Sequence, residues 1–197
     1  MVITAKSFSL KDKISVNSPV IIGFTTICFI SLVLNFITGG KSNDLIFSVY
    51  RSSMLDPFTY VRFIGHIFGH AGLEHFIGNI MLILIIGPLL EEKYGRSNLI
   101  VVILSTAAVT GIINFIFFPN VQLLGASGVV FAFILLSSFT GLQNGKIPLT
   151  FILVALLYIG QEVISGIFIQ DNVANLTHII GGIVGSSFGF TMNKIRR

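Results

Sequence analysis

Two side chains that could act as a nucleophile and its general base lie in separate apolar segments of this chain. Ser127 is the third residue of G125-A-S-G128, and His178 lies inside N175-L-T-H-I-I-G-G-I-V-G185. A histidine within hydrogen-bond reach of a serine hydroxyl can take its proton while the oxygen attacks a carbonyl carbon. The two residue types therefore indicate nucleophilic catalysis, provided that the fold brings them together.

The residues around Ser127 predict the start of a helix. The backbone N–H of Ser127 would then lie at the positive end of the helix dipole, which favours a developing oxyanion. Gly125 and Gly128 would allow backbone and substrate to approach closely. The alternative is a small-residue contact between helices. The hydrolase elbow G-x-S-x-G is not present, because Val129 occupies its last position.

His178 is followed by small residues at helical spacing. Gly181 and Gly185 fall at i+3 and i+7, on the same helix face as the imidazole, and such a face allows close packing against another helix. If that partner is the Ser127 helix, Phe131 lies one turn after the serine and would offer its ring to the imidazole. The alternative is a structural histidine with satisfied hydrogen bonds.

His75 and Asn79 are spaced i, i+4, so they share one face of a predicted helix. Side-chain donors of this kind can stabilise the oxyanion of a tetrahedral intermediate beside the N–H of Ser127. Hydrogen bonding between helices is the alternative role for both.

The other polar residues of the apolar segments predict no metal and no cofactor. The pair H66-I-F-G-H70 has helical spacing but lacks the glutamate of an H-E-x-x-H zinc site, so structural hydrogen bonding is expected. Glu162 is the one acid inside an apolar segment and is given no catalytic role. The remaining acids near helix ends are interpreted as solvated loop charges: Glu91, Glu92 and Asp171.

The composition is that of an integral membrane protein. Of its 197 residues, 53% are hydrophobic and 10% are charged, whereas soluble domains carry about 25% charged residues. The net charge of +4 comes without a basic stripe, so it does not indicate nucleic-acid binding. Cys28 is the only cysteine, which excludes an intrachain disulfide and favours a small buried apolar side chain.

Six apolar segments are predicted to form one helical bundle without a separate soluble domain. Residues 1–18 would be a short cytoplasmic tail and residues 19–197 the bundle, with an uncleaved first helix. Two segments are short, the second and the fourth. The connection 39–74 is too apolar for an aqueous loop and is expected to be partly embedded and packed on the bundle. The six segments are 19–38, 75–90, 98–118, 127–142, 147–168 and 174–192.

The positive-inside rule orients this bundle in a cell membrane with both termini on the cytoplasmic side. The inner segments would hold Lys6, Lys11, Lys13, Lys93, Arg96, Lys146, Lys194, Arg196 and Arg197, against Lys41, Arg51 and Arg62 outside. In this topology the second, fourth and sixth segments carry His75, Ser127 and His178 near their outer ends. Three groups distant in sequence are thereby predicted at a similar depth.

These motifs resemble the rhomboid family of intramembrane serine proteases along the chain from the first helix to the last. The similarity rests on H75-F-I-G-N79, on G125-A-S-G128 and on H178-I-I-G-G-I-V-G185. Upstream, Arg62, His66 and His70 fall where the family has residues that brace its first outer loop. Three positions depart from the common pattern, with Val61 in place of Trp, Thr177 in place of Ala and Phe131 in place of Tyr.

The resemblance implies an all-α, six-transmembrane-helix rhomboid bundle with a Ser127–His178 dyad and no cofactor. His75 and Asn79 would stabilise the oxyanion, while Gly125, Gly128, Phe131 and Gly181 would support the site. The substrates would be transmembrane helices of other proteins in the lipid bilayer, cleaved by serine-type endopeptidase activity. Two alternatives are a non-catalytic rhomboid-like protein that binds client helices and a small transporter.

Overall fold

The computed structural model describes residues 15–140, 146–168 and 172–195, with the side chains of residues 158–159, 161–174 and 194–195 outside that description. This part of the chain is all-α, as predicted, and has no strand beyond an isolated antiparallel bridge between Val49 and Leu123. Its seven α-helices are α1 (Pro19–Thr38), α2 (Pro57–Gly65), α3 (Leu73–Tyr94), α4 (Arg96–Phe117), α5 (Ser127–Ser137), α6 (Leu149–Phe168) and α7 (Asn172–Ile195).

A helix coincides with each of the six predicted segments, but two sets of limits were wrong. The second segment is not short, since α3 continues through Pro88 to Tyr94 and ends at Gly95, whose φ is +85°. Its last turns stay helical because they are buried against the bundle. The fourth segment is shorter than predicted, because α5 ends at Ser137 instead of residue 142.

Within the described residues, three helices are long and apolar enough to cross a bilayer by length and composition, namely α1, α3 and α4. Together with the composition, they make this chain a membrane protein. Helix α5 is also apolar but has only 11 residues, about 16 Å of helix against a hydrocarbon core of about 30 Å. The expectations for Glu162 and Asp171 concern side chains that lie outside the described part.

Helix α5 lies at the centre of the bundle, and α7 packs most closely against it. Every residue of α5 from Gly128 to Leu136 except Phe131 is buried. A Cβ atom added at Gly181 would overlap the carbonyl oxygen of Gly128, and one added at Gly185 would overlap that of Ala132. The two backbones are therefore in direct contact, as the small-residue face of α7 predicted.

The connection between α1 and α3 is folded onto the bundle. It contains a π-helical turn (Asn43–Phe47), helix α2 and a 3-10 turn (His66–Phe68). The Val49–Leu123 bridge ties it to the segment before α5, with N–O distances of 2.8 and 2.9 Å. Arg62 is buried inside it and donates to Asp56 at 2.8 Å. Where this unit lies relative to the bilayer surface stays a prediction.

Glu91 corrects an expectation, because it is not a solvated loop charge. The residue is 5% exposed, and its carboxylate accepts the backbone N–H groups of Val20 and Ile21 at 3.1 Å. These N–H groups belong to the first turn of α1, where no intrahelical acceptor exists and a negative charge complements the helix dipole. Arg96 adds a second partner at 3.6 Å. Glu91 thus caps a helix 70 residues away in sequence.

Candidate active site

Ser127 is the first residue of α5 and is half-buried. Its backbone N–H has no acceptor within the helix, because the first turn of an α-helix lacks a preceding carbonyl. The segment that leads into Ser127 is fixed by the backbone N–H of Gly125, which donates to the carbonyl of His66 at 2.9 Å. The loop between α2 and α3 therefore positions the start of α5.

His178 lies beside the first turns of α5. Its ring stacks on Phe131 with centroids 4.2 Å apart and an interplanar angle of 5°. Phe131 follows Ser127 by one helical turn, so the two share a face of α5. One turn after His178, Gly181 contacts the backbone of Gly128. The fold thus brings the helix turns that carry Ser127 and His178 against each other.

Three threonine methyl groups enclose Gly128. A Cβ atom added there would lie 3.4 Å from the Cγ2 atoms of Thr110 and Thr177 and 3.6 Å from that of Thr106. Thr177 therefore fills space next to α5, at a position where the family that these motifs resemble usually has the smaller alanine. The departure is accommodated by packing. Likewise Phe131, which lacks the tyrosine hydroxyl, retains the ring that stacks on His178.

His75 lies over the backbone that precedes Ser127. A Cβ atom added at Gly125 would be 2.7 Å from Cε1 and 2.8 Å from Nε2 of the His75 ring. Gly125 also has φ +127°, a conformation that side chains other than glycine rarely adopt. Position 125 therefore requires glycine both for its backbone conformation and because the His75 ring occupies the space where a Cβ atom would lie.

Asn79 is buried on the same face of α3 as His75. Its Nδ2 donates to the carbonyl of His75 at 3.0 Å, within its own helix. An amide group carries two donor hydrogens, so this bond leaves Asn79 with further donor capacity. The structure places His75 directly beside the Ser127 segment and Asn79 one turn further along α3.

The two loop histidines are buried and hydrogen-bonded within the loop, as predicted, with a single bond for His70, from Nδ1 to the carbonyl of Phe68. Nδ1 of His66 donates to the carbonyl of Arg62, and Nε2 lies 3.2 Å from the hydroxyl of Thr110. Burial lowers the pKa of His66 to about 4. Burial, followed by the charge of nearby His75, lowers the pKa of His70 to about 4 as well. Both rings are therefore neutral at physiological pH.

Sequence reasoning missed the polar residues of α4 that hold this arrangement. Thr106, Thr110 and Asn114 follow one another at i, i+4 and i+8, and all are buried. Asn114 Nδ2 donates to the carbonyls of Val49 and Val121 at 3.1 Å. The signal was available, since three polar residues on one face of an apolar helix are costly unless they are satisfied.

Gln122 is a further residue that the sequence did not single out. Its Nε2 donates to Ser48 Oγ at 2.6 Å and to Asp44 Oδ1 at 2.8 Å, which ties the segment before α5 to the outer loop.

Within the described residues no group of three His, Cys, Asp or Glu side chains could hold a metal ion. The residues of this region offer a hydroxyl, an imidazole and N–H donors, the types of group that acyl transfer uses.

Residues 57–195 match the family described as Rhomboid domain. The chain is 30% identical over 187 residues to Rhomboid protease GlpG of Salmonella choleraesuis, covering 88% of this chain and 65% of that protein. It is 26% identical over 163 residues to Rhomboid protease GlpG of Haemophilus influenzae, covering 80% and 83%.

A further relative is Rhomboid-related protein 1 of Caenorhabditis elegans, 29% identical over 140 residues, or 66% of this chain and 39% of that protein. The chain also spans only 47% of Rhomboid-related protein 2 of Mus musculus, so it corresponds to less than half of either. Since the family match itself extends from α2 to the last turn of α7, the chain belongs to the rhomboid family.

Proposed function

We propose that this protein is an intramembrane serine endopeptidase that cleaves transmembrane segments of other membrane proteins, with Ser127 as nucleophile and His178 as general base. The observation that carries the proposal is the stacking of His178 on Phe131, one turn from Ser127. The contact between the Gly181 and Gly128 backbones supports it, because no side-chain atom separates the two helices at that point.

In the first step Ser127 Oγ attacks the scissile carbonyl carbon while His178 accepts the hydroxyl proton. His178 then gives this proton to the leaving amine, and an acyl-enzyme remains. Water attacks the ester with the same histidine as base, which releases the second product and regenerates the serine. The parallel Phe131 ring fixes the plane of the imidazole through both transfers.

The oxyanion would be held by the backbone N–H of Ser127 and by side chains of α3. His75 is supported in this role by its position over Gly125, two residues before the nucleophile. Asn79 is supported by its place on the same helix face and by its second amide hydrogen. Donors fixed before the reaction stabilise the developing charge without reorganisation.

The proposal includes a six-span arrangement in the cell membrane with both termini in the cytoplasm, in line with the distribution of Lys and Arg. The short helix α5 would leave space for hydrolytic water above Ser127. A substrate helix must unwind locally to present a peptide carbonyl, so small or helix-breaking residues near its outer end should favour cleavage. Labelling of an introduced cysteine at position 41, which is exposed, from the cytoplasmic side would contradict this topology.

The test is cleavage of one model transmembrane substrate in liposomes by Ser127→Ala and His178→Ala. Each change should abolish cleavage, because a dyad acts as a unit and either loss removes activation of the nucleophile. Ser137→Ala at the other end of α5 is the matched control and should cleave at the parental rate. A folded Ser127→Ala protein that still cleaves would exclude Ser127 as the nucleophile, whereas a folded parent protein that cleaves no substrate would leave client-helix binding as the function.

A further inference from the structure

An apolar groove outside the candidate site has no role in the proposed chemistry. It is a cavity of about 300 Å³ between α1 and α4, and its lining includes Val20, Gly23, Ile27, Ile100, Ile103 and Leu104. A Cβ atom added at Gly23 would meet nothing within 4 Å, so the glycine leaves open space. Both helices are long and apolar enough to span a bilayer, which makes lipid the surrounding solvent.

A polar cavity of about 490 Å³ lies where these same two helices begin. Asn17 and Ser18, which precede α1, and Gly95 and Arg96, at the start of α4, all line it. Arg96, Ile100 and Ile103 are spaced i, i+4 and i+7, so one face of α4 runs from the polar cavity into the apolar groove. The ends of spanning helices lie at the level of lipid headgroups.

The charges in the polar cavity are complementary to a zwitterion. The carboxylate of Glu91 is occupied by the N-terminus of α1 and lies 3.6 Å from Nε of Arg96. Arg96 itself is 68% exposed in its side chain, and its guanidinium can bind a phosphate in a bidentate manner. Glu92 also lines the cavity and is exposed, so it offers a carboxylate to an ammonium group.

We propose that this groove binds one phospholipid with a zwitterionic primary-amine headgroup, of the phosphoethanolamine type. Its phosphate would bind Arg96, its ammonium group would bind Glu92, and an acyl chain would lie along Gly23 between α1 and α4. An anionic headgroup without an amine would leave Glu92 unpaired beside a second negative charge. A trimethylated amine would lack the N–H donors that a carboxylate accepts.

The test is titration of the purified full-length protein in detergent with three phospholipids of identical acyl chains, with bound lipid counted by native mass spectrometry. The headgroups are ethanolamine, choline and glycerol. Gly23→Leu and Leu104→Trp each fill the groove and should lower ethanolamine-lipid affinity about tenfold. Gly78→Leu is the matched control, because Gly78 is also an α-helical glycine with nothing within 4 Å, and its affinity should be unchanged.

The headgroup contacts are tested separately. Arg96→Gln should weaken binding of all three phospholipids, whereas Glu92→Gln should abolish only the preference for ethanolamine over choline. Parental affinity in both groove-filling variants would overturn the proposal. So would a parent protein that binds the three headgroups equally. None of these readouts depends on peptide cleavage, so the lipid site stands or fails independently of the protease mechanism.

Discussion

Two helix pairs in this protein use glycine in opposite ways. Between α5 and α7, Gly181 and Gly185 lie against the carbonyls of Gly128 and Ala132, and no space remains for a methyl group. Between α1 and α4, Gly23 faces an apolar groove of about 300 Å³. The first interface is closed by backbone contact and the second is left open toward the surrounding lipid.

In the proposed mechanism, this difference separates the interface that must align catalytic groups from one that carries none. The closed interface joins the two helices that carry Ser127 and His178, and a shift of about 1 Å between catalytic groups can cost about 10²-fold in rate. The open interface carries no residue of the candidate site. A glycine in a membrane helix therefore does not always indicate a close helix contact. Its role depends on whether a neighbouring backbone fills the space beside it.

The largest effect should come from opening the closed interface. Gly181→Ala forces a methyl group against the carbonyl of Gly128, so α7 must move away from α5. Overpacking of this kind costs about 1–3 kcal/mol of stability, and the separation of His178 from Ser127 adds a catalytic loss. Cleavage in liposomes should fall more than about 10³-fold, measured together with the thermal unfolding temperature.

The adjacent glycine provides the control. A Cβ atom at Gly182 would lie 3.5 Å from Leu135, an ordinary contact. Gly182→Ala should therefore cleave at close to the parental rate and be no less stable, since alanine is favoured over glycine in a helix by about 1 kcal/mol. Equal activity of the two variants would show that the α5–α7 contact is not what aligns the site.

The next largest effect is expected from His75 and Asn79 of α3, and it tests whether α3 contributes to the site at the α5–α7 interface. Removing one oxyanion donor costs about 2.7–4 kcal/mol, or about 10²–10³-fold in rate. His75→Ala and Asn79→Ala should each slow single-turnover cleavage by up to this amount, while Ser127 still reacts with a phosphonate probe. Parental rates in both variants would leave the two residues with structural hydrogen bonding alone.

The sequence predicted the closed interface but not the open one. Gly181 and Gly185 at i+3 and i+7 from His178 indicated a close helix contact, and the structure has it against α5. The spacing of residues on one helix reveals that helix's own faces. The spacing could not reveal that Gly23 lies beside a groove. Whether an interface is open depends on how far the side chains of the other helix, α4, extend toward it.

Polar contacts between residues distant in sequence could not be predicted, for a related reason. Glu91 lies next to Glu92 and Lys93, a pattern typical of a solvated helix end, yet it caps α1 because the fold places the two helix termini together. The carbonyl of His66 that fixes Gly125 is a backbone group and has no sequence signature at all. Side-chain type and spacing predicted the candidate residues, while their supports required the fold.

A pH dependence of stability should follow from the loop that fixes the start of α5. Burial lowers the pKa of His66 to about 4 in the folded protein, against about 6.5 in an unfolded chain. The neutral ring therefore contributes its full stability above about pH 6.5, and this contribution is lost as the pH falls toward 4. The loss from His66 should reach about 3 kcal/mol near pH 4.

The measurement is thermal unfolding of the parent and of His66→Asn between pH 7.5 and pH 4. The variant is expected to be less stable at pH 7.5, because its contacts with Arg62 and Thr110 change, but to lose less stability on acidification. Parallel curves for the two proteins would contradict a buried neutral histidine. The residues that line the α1–α4 groove have no titratable side chain, so Gly23→Ala should follow the parental curve.

A smaller effect should come from the ring that holds His178. Stacked aromatic pairs contribute about 0.5–1.5 kcal/mol beyond the area that they bury. Phe131→Leu should therefore slow cleavage about 2–10-fold, whereas Phe131→Tyr retains the ring and should stay within twofold of the parent. The pair is compared by kcat on one substrate. A slower Phe131→Tyr than Phe131→Leu would mean that the ring plane is not what matters.

The smallest effect, and the strictest test of the comparison, is expected at the open interface. Gly23→Ala adds one methyl group where no atom lies within 4 Å, so no neighbour has to move. Alanine is favoured over glycine in a helix by about 1 kcal/mol, and the unfolding temperature should rise slightly with cleavage unchanged. The substitution is chemically identical to Gly181→Ala, and only the surroundings differ. If Gly23→Ala instead lowered stability and activity, α1 and α4 would have to close on each other in the bilayer, and the contrast between the two interfaces would be lost.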